Sequence, residues 1–216
     1  MSRFGKVALV AALALGIASS AQASLIITGV IDGPLSGGLP KAVELYATAD
    51  IADLSAFAIG SANNGGGSDG EEYTFPAGSV SAGEFLYIAT EATGFQNFFG
   101  FAPDFTHGTA VSINGDDAIE LFMNGSVVDV FGDINQSGTG QPWEYLDGWA
   151  YRNDSTGPDG STFVLGNWYF SSPNALDNET TNASAATPFP AGTYAPEPAT
   201  IALLVIGGLT ALRRRK

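Results

Sequence analysis

The chain contains no cysteine and only one histidine among its 216 residues. The absence of cysteine excludes a disulfide framework, a cysteine-ligated zinc site and a thiol nucleophile. Basic residues are also scarce, since residues 25–195 hold only Lys41 and Arg152 against 21 acidic residues, a net charge of −19. A surface of that charge repels phosphate backbones, so nucleic acid is not expected as a partner.

Residues 1–23 have the pattern of a secretory signal peptide. Two basic residues precede an apolar run over residues 7–17, and Ala21 and Ala23 then form a small-x-small cleavage motif. We therefore predict that the protein is exported and that the mature chain begins at Ser24. An amphipathic first helix is the alternative, but no polar residue interrupts the run at helical spacing.

The C-terminus holds a second apolar run, residues 199–212, followed directly by the basic cluster 213–216. As a helix this run would span roughly 21 Å, which is short of the ~30 Å hydrocarbon core. Basic side chains can snorkel to the membrane surface, however. Four positive charges at one end predict a short transmembrane helix with its basic tail in the cytoplasm and the preceding domain outside.

The apolar run follows the motif Pro196, Glu197 and Pro198. This order of motif, helix and arginine-rich end resembles the PEP-CTERM sorting signal of Gram-negative bacteria, over residues 196–216. The resemblance implies processing by an exosortase, an integral membrane cysteine protease, in bacteria that commonly make exopolysaccharide. The expected location is therefore the cell envelope, the cell surface or the extracellular space, and a simple one-pass anchor is the alternative.

The middle of the chain predicts an all-β domain. Between residues 25 and 195, 24 of 171 residues are glycine, about twice the usual ~7%, and no long amphipathic helical run is present. Alternation in Val43–Tyr46 and in Ile119–Leu121 favours strands with one solvent-exposed face. Asn124-Gly125 between two apolar runs predicts a type I′ hairpin over residues 118–131. The predicted strands are 25–30, 42–48, 57–61, 72–75, 85–90, 118–123, 127–131 and 149–152.

Residues 177–195 differ from this domain in composition. They are rich in Ser, Thr, Asn, Ala and Pro and offer little apolar surface to bury, which predicts a flexible stalk. The expected organisation is thus a helical signal peptide (1–23), an all-β domain (24–176), a stalk (177–195) and the sorting signal with its transmembrane helix (196–216).

A series of short motifs in the middle region resembles the lamin-tail domain of bacterial exported proteins. The motifs are Lys41–Tyr46, Asp53–Phe57, the strand at Phe85, Asn114–Ile119, Gly140–Tyr145, Arg152 and Asn167-Trp168. The resemblance covers roughly residues 25–177 and implies an antiparallel, immunoglobulin-like β-sandwich. In secreted nucleases this domain accompanies a separate catalytic domain, for which this sequence has no room, so nuclease activity is not expected.

Residues 133–144 have the spacing of a calcium-binding loop, and calcium is the only cofactor that the sequence suggests. Calcium binds six to eight oxygen ligands, and this spacing can supply alternating side-chain donors, one backbone carbonyl and a final carboxylate. The candidate ligands are Asp133, Asn135, Ser137, Thr139 and Glu144, with Gly138 at the turn. The alternative is a loop whose Asp and Asn side chains bond their own backbone. Asn114, Asp116 and Asp117 offer a second cation site with the same alternative.

Two further side-chain groups allow a functional and a structural interpretation. One is an aromatic set that is either a sugar-stacking face or part of the sandwich core: Trp143, Tyr145, Trp149, Tyr151 and Trp168. The other is Arg152, which we expect to be partly buried beside a carboxylate such as Asp117.

Enzymatic function receives little support from the sequence. His107 is the only histidine, and no serine lies in a G-x-S-x-G motif. We therefore predict a noncatalytic interaction module of the cell surface or extracellular matrix, whose partner is exopolysaccharide or a surface protein. The alternative is a secreted hydrolase that acts on polysaccharide through a pair of carboxylates.

Overall fold

The computed structural model describes residues 23–197, in which two β-sheets and one α-helix form. The helix is α1 (Ala92–Phe99), and short 3-10 turns occupy Leu54–Ala56, Asn63–Gly65, Leu165–Asn167 and Asn182–Ser184. The strands are β1 (Leu25–Leu35), β2 (Leu39–Ala47), β3 (Phe57–Ala62), β4 (Tyr73–Thr74), β5 (Phe85–Ala89), β6 (Phe105–Thr106), β7 (Ala118–Met123), β8 (Ser126–Phe131), β9 (Gly148–Arg152) and β10 (Trp168–Phe170).

The strands form a six-stranded sheet in the order β10-β9-β1-β2-β5-β6 and a four-stranded sheet in the order β4-β3-β7-β8. Every pairing is antiparallel except that of β5 with the short β6. The fold is therefore mostly β, as the glycine-rich sequence predicts, and its two antiparallel-rich sheets form a sandwich, as the lamin-tail resemblance implies.

The hairpin β7–β8 confirms the strongest local prediction. Asn124 and Gly125 have φ values of 50° and 80°, the left-handed conformation that a type I′ turn needs at both central positions. The helix α1 is likewise bounded by local signals. The Glu91 side chain accepts hydrogen bonds from the Thr93 and Gly94 backbone N–H groups, and Gly100 ends the helix at φ 82°.

The main hydrophobic core lies between the two sheets. It joins apolar side chains of β1 and β2, such as Ile27 and Leu45, to those of β3, β7 and β8, such as Ile59, Leu121 and Phe131. All five of these side chains are fully buried. Because side chains alternate along a strand, the other residues of β1 and β2 point to the opposite face of the six-stranded sheet.

That opposite face is also buried, which corrects the expectation of a solvent-exposed side. Glu44 and Tyr46, which alternate with the core residues of β2, are only 1% and 8% exposed. A second apolar cluster covers them, built on residues of α1 such as Phe95 and on residues near the C-terminus such as Phe189. Glu120 of β7 is also buried, so alternating polarity does not mark an exposed face in either strand.

The structure also differs from the expectation of a flexible stalk over residues 177–195. Residues 187–195, here named the C-terminal strap, cross the six-stranded sheet. Phe189 and Tyr194 are 3% and 6% exposed, and the Phe189 ring lies 5.4 Å from that of Tyr151. Two buried aromatic side chains therefore help to attach a segment whose overall composition is polar.

No helix within residues 23–197 is long and apolar enough to cross a membrane. The predicted terminal helices and the basic tail lie outside the described residues, as do Ala21 of the cleavage motif and Pro198 of the sorting motif.

Candidate functional site

Three loops meet at one end of the sandwich. They are residues 63–72 between β3 and β4, residues 107–117 before β7, and residues 132–147 between β8 and β9. Backbone hydrogen bonds connect them, including Gly67 N–H to the Ile134 carbonyl at 2.8 Å and Gly138 N–H to the Asp116 carbonyl at 2.8 Å. This end therefore holds the predicted calcium loop in a defined conformation.

Four of the five predicted calcium ligands use their side chains for hydrogen bonds to other described residues, and only the Asn135 amide does not. Ser137 and Thr139 donate their hydroxyl groups to Asp116 Oδ2, at 2.6 and 3.0 Å. Glu144 Oε2 accepts from the Gly140 N–H at 2.8 Å. Asp133 Oδ1 accepts from the backbone N–H of Asn135 at 2.9 Å, which forms an Asx turn.

The strands β8 and β9 flank this loop, which therefore lacks the helices of an EF-hand. Within residues 23–197, no group of three or more His, Asp or Glu side chains could hold a metal ion. Calcium binding at Asp133 and its neighbours stays a prediction.

The second candidate cation site serves to form a turn. Asp117 accepts hydrogen bonds from the backbone N–H groups of Asn64, at 2.7 Å, and Asn114, at 2.9 Å. Asn114 Oδ1 accepts from Lys41 Nζ at 2.9 Å. Burial raises the pKa of Asp117, although the two backbone hydrogen bonds oppose this change.

Both basic residues within residues 23–197 are largely buried and form ion pairs. Lys41 Nζ lies 2.8 Å from Asp32 Oδ1, and the Lys41 side chain is 12% exposed. Arg152 is completely buried, with both oxygens of Asp129 at 2.8 Å from its Nη2 and Asp159 Oδ2 at 3.2 Å from its Nη1. The prediction that Asp117 is the partner of Arg152 is therefore wrong, because strand β8 places Asp129, and not Asp117, in contact with the guanidinium group.

The predicted sugar-stacking face is also absent from the surface, since its five aromatic residues are at most 5% exposed. Trp143, Tyr145 and Trp168 pack against Phe131 in the main core. Trp149 and Tyr151 belong to the second cluster, under the C-terminal strap. The core interpretation of this set is confirmed.

Glu44 fastens the C-terminal strap to the six-stranded sheet. Its Oε1 accepts hydrogen bonds from the hydroxyl groups of Thr28 and Tyr151, both at 2.7 Å, and its Oε2 accepts from the Gly192 N–H at 2.7 Å. The Tyr151 hydroxyl in turn accepts from the backbone of the strap, at Tyr194 N–H. Burial raises the pKa of Glu44, because the carboxylate is removed from water and none of the described groups that bond to it is a cation. The hydrogen bonds that it accepts lower the pKa and only partly oppose this increase.

An open pocket of about 300 Å³ lies beside the predicted calcium loop. It is lined by the end of β8 and by two loop segments, at Val130, Gly132, Asp133, Ile134, Asn135, Ser161, Thr162 and Phe163. Of the calcium candidates it includes only Asp133 and Asn135. The sequence did not identify Ser161, Thr162 and Phe163 as pocket residues. They lie about 28 residues after the loop that they face, and no local sequence pattern indicates that these two segments meet.

Residues 18–135 match the family model of the Lamin Tail Domain. The match covers more than half of the chain and includes β1 to β8, so this protein belongs to the lamin tail domain family. Domains of this kind are generally noncatalytic. No curated protein and no solved structure matches the chain.

Proposed function

We propose that this chain is an exported, noncatalytic interaction module of the cell envelope or extracellular matrix, built on an immunoglobulin-like form of the lamin-tail sandwich. Its partner is an exopolysaccharide or a surface protein. The domain presents loops and side chains to that partner and performs no reaction on it.

The observation that carries this proposal is the sign of the surface charge. Lys41 and Arg152 are held inside the fold by carboxylates, so every exposed charged residue within residues 23–197 is acidic. These residues are Asp50, Asp53, Asp69, Glu71, Glu84, Asp104, Asp133, Asp154, Asp177 and Glu197. Such a surface attracts basic surfaces and anionic polymers bridged by cations, does not repel uncharged polymers, and disfavours nucleic acid.

The pocket chemistry supports a binding role over the hydrolase alternative. Glycosidases need two carboxylates about 5–9.5 Å apart, whereas the pocket beside β8 contains a single carboxylate, Asp133. Asp129 and Asp159 do lie near each other, but both are committed to the buried Arg152. His107 accepts a hydrogen bond from the Ala110 N–H through Nδ1, which suits a turn.

The end of the folded domain lies next to the proposed sorting signal, with no long linker between them. Ala195 N–H donates to Asp154 Oδ1 at 2.9 Å, and the next residues, Pro196 and Glu197, are exposed. An exosortase would therefore meet the motif close to the folded domain. We propose that this enzyme and the secretion machinery deliver the protein to the envelope, with a membrane contact through the C-terminal segment before processing.

The proposal is tested with the full chain and the exopolysaccharide of the bacterium that makes it. Sedimentation of the polymer should carry the protein with it, and mass spectrometry of the supernatant should find no shortened saccharides after long incubation. Release of oligosaccharides would contradict a noncatalytic role. A protein that neither sediments with the polymer nor with washed cells of the same bacterium would contradict the interaction role.

A further inference from the structure

The open pocket beside β8 is lined on one side by Asp133 and Asn135 and on the other by Ser161, Thr162 and Phe163. Its volume of about 300 Å³ lies at the lower end of the ~300–1,000 Å³ typical of small-molecule sites. The space suits one small polar molecule or one unit of a polymer.

The polar groups of the pocket have hydrogen-bonding capacity that the fold does not use. Asp133 accepts only at Oδ1, from the Asn135 backbone N–H. Among the described residues, none bonds to Asp133 Oδ2, to the Asn135 amide or to the hydroxyl groups of Ser161 and Thr162. These groups offer acceptors and donors together, which matches a ligand with several hydroxyl groups.

The apolar wall of the pocket is an aromatic ring that the core holds in place. Phe163 is half-buried, and its ring centroid lies 5.6 Å from that of Phe131 and 6.1 Å from that of Trp143, in edge-on arrangements. A fixed ring with an accessible surface can cover the apolar C–H face of a sugar at little cost in side-chain entropy.

Both walls of the pocket are preorganised. Asp159, which precedes the Ser161–Phe163 segment, contacts the buried Arg152 and donates its backbone N–H to Asp129 Oδ1 at 2.8 Å. On the other wall, Ile134 accepts the hydrogen bond from Gly67. A rigid site loses less entropy when a ligand binds.

The charge of the pocket narrows the ligand class. Asp133 repels phosphate, sulfate and carboxylate groups, and as a single carboxylate it gives a divalent cation one charged ligand. We propose that the pocket is a carbohydrate subsite for one uncharged or amine-bearing pyranose ring, stacked on Phe163 and hydrogen-bonded through its hydroxyl groups to Asp133 and Asn135. This inference rests on the proposed function, because it names the ligand class of the module.

Calorimetric titration of the full chain with methyl pyranosides tests the subsite. The probes are the methyl glycosides of glucose, galactose, mannose, glucosamine and N-acetylglucosamine, with methyl glucuronide as the anionic probe. At least one uncharged or amine-bearing probe should bind, and the glucuronide should bind more weakly. Oligosaccharides of the sugar that binds show whether the natural ligand is a free sugar or one unit of a polymer. The affinity should rise with chain length only if the site binds a polymer.

Variants assign the binding to the pocket. Phe163→Ala should weaken binding about tenfold, the size of an aromatic contact, while Phe163→Tyr, which keeps the ring, should bind like the unaltered chain. Asp133→Asn should weaken binding of the uncharged sugar by about tenfold and remove the discrimination against glucuronide. Phe101→Ala, an exposed aromatic beside α1, is the control and should change nothing.

Three outcomes separate the subsite from the wider function. If no probe binds, or if Phe163→Ala and Asp133→Asn both bind as the unaltered chain does, the subsite is overturned. If the exopolysaccharide still sediments with the Phe163→Ala chain, the module role survives without this pocket. Cleavage of an oligosaccharide probe would overturn the noncatalytic role and leave the measured affinity of the pocket valid.

Discussion

Two kinds of polar region in this molecule use their side chains differently. Around Arg152 and Glu44, buried charges and hydroxyl groups bond to one another and to backbone groups, and they join distant parts of the chain. In the pocket, Asp133, Asn135 and Ser161 keep polar groups to which no described residue hydrogen-bonds. Groups engaged in the fold stabilise it, whereas groups left open are free for a ligand.

The two buried clusters also differ from each other. Arg152 forms ion pairs with both Asp129 and Asp159, so one buried cation offsets part of the charge of two carboxylates. Among the described residues, Glu44 has only neutral donors: the hydroxyl groups of Thr28, Tyr87 and Tyr151 and the Gly192 N–H. The first cluster depends on a counter-ion, and the second depends on the strap that supplies a donor.

The largest expected effect is that of Arg152→Met. It leaves Asp129 and Asp159 buried without their cation, and removing one partner of a buried ion pair costs about 3–5 kcal/mol. Urea unfolding should show this loss. The double variant with Asp129→Leu should recover part of it, and a loss below about 1 kcal/mol in the single variant would refute the assigned role of this pair.

Phe189→Ala should destabilise the domain by about 3 kcal/mol, because the ring is buried against Trp149 and Tyr151. The exposed Phe101→Ala is the matched control. If residues 177–195 were a flexible stalk, Phe189→Ala and Phe101→Ala would have the same melting temperature. That result would contradict the packed C-terminal strap.

The pH dependence of stability should reveal Glu44. Its pKa in the folded state is raised above the ordinary value of 4.5, so between these two values the unfolded chain releases a proton that the folded chain keeps. The free energy of unfolding therefore falls as pH rises through this window. Glu44→Gln should reduce that slope, to which Asp32, Asp117 and Asp129 also contribute because burial raises their pKa values. The exposed Glu84→Gln should leave the slope intact. An unchanged slope in Glu44→Gln would exclude Glu44 as its source.

The calcium loop predicted from the sequence corresponds to a smaller effect. If residues 133–144 bind calcium at the ~0.1–1 mM of extracellular sites, 1 mM calcium stabilises the folded state by about 0.4–1.4 kcal/mol. Asp133→Ala should abolish the rise in melting temperature. The calcium loop at residues 133–144 is refuted if calorimetry detects neither heat nor a melting shift up to ~10 mM calcium.

The smallest effect should come from the pocket itself. Without ligand, Asp133→Asn and Ser161→Ala should change the free energy of unfolding by no more than about 0.5 kcal/mol, as is usual for exposed positions. Chemical unfolding measures both. A loss above about 2 kcal/mol would mean that these side chains support the fold, and the contrast between engaged and open polar groups would fail.

Local patterns were enough to predict the strands and the hairpin. Alternation and the Asn124-Gly125 turn are read within a few residues, and the structure confirms the strands that they indicated. The short β6 and β10 were missed, since two- and three-residue strands at Phe105 and Trp168 form only through their neighbours.

Features that depend on distant segments could not be predicted in the same way. Glu44 appeared exposed because nothing near it in sequence covers it, and the strap that does so lies about 148 residues later. The Arg152 partner depends on how the two sheets face each other. One local signal was available, however, since Asp129 interrupts the apolar strand Val127–Phe131 and a carboxylate there requires a partner.

The central claim is that this acidic domain acts outside the cell as a binding module. The most direct test expresses the full chain in a bacterium that has an exosortase and measures surface exposure with an antibody on intact cells. The protein should be labelled on the surface, and alanine at Pro196, Glu197 and Pro198 should abolish correct sorting. Retention of the unaltered chain in the cytoplasm would contradict the claim.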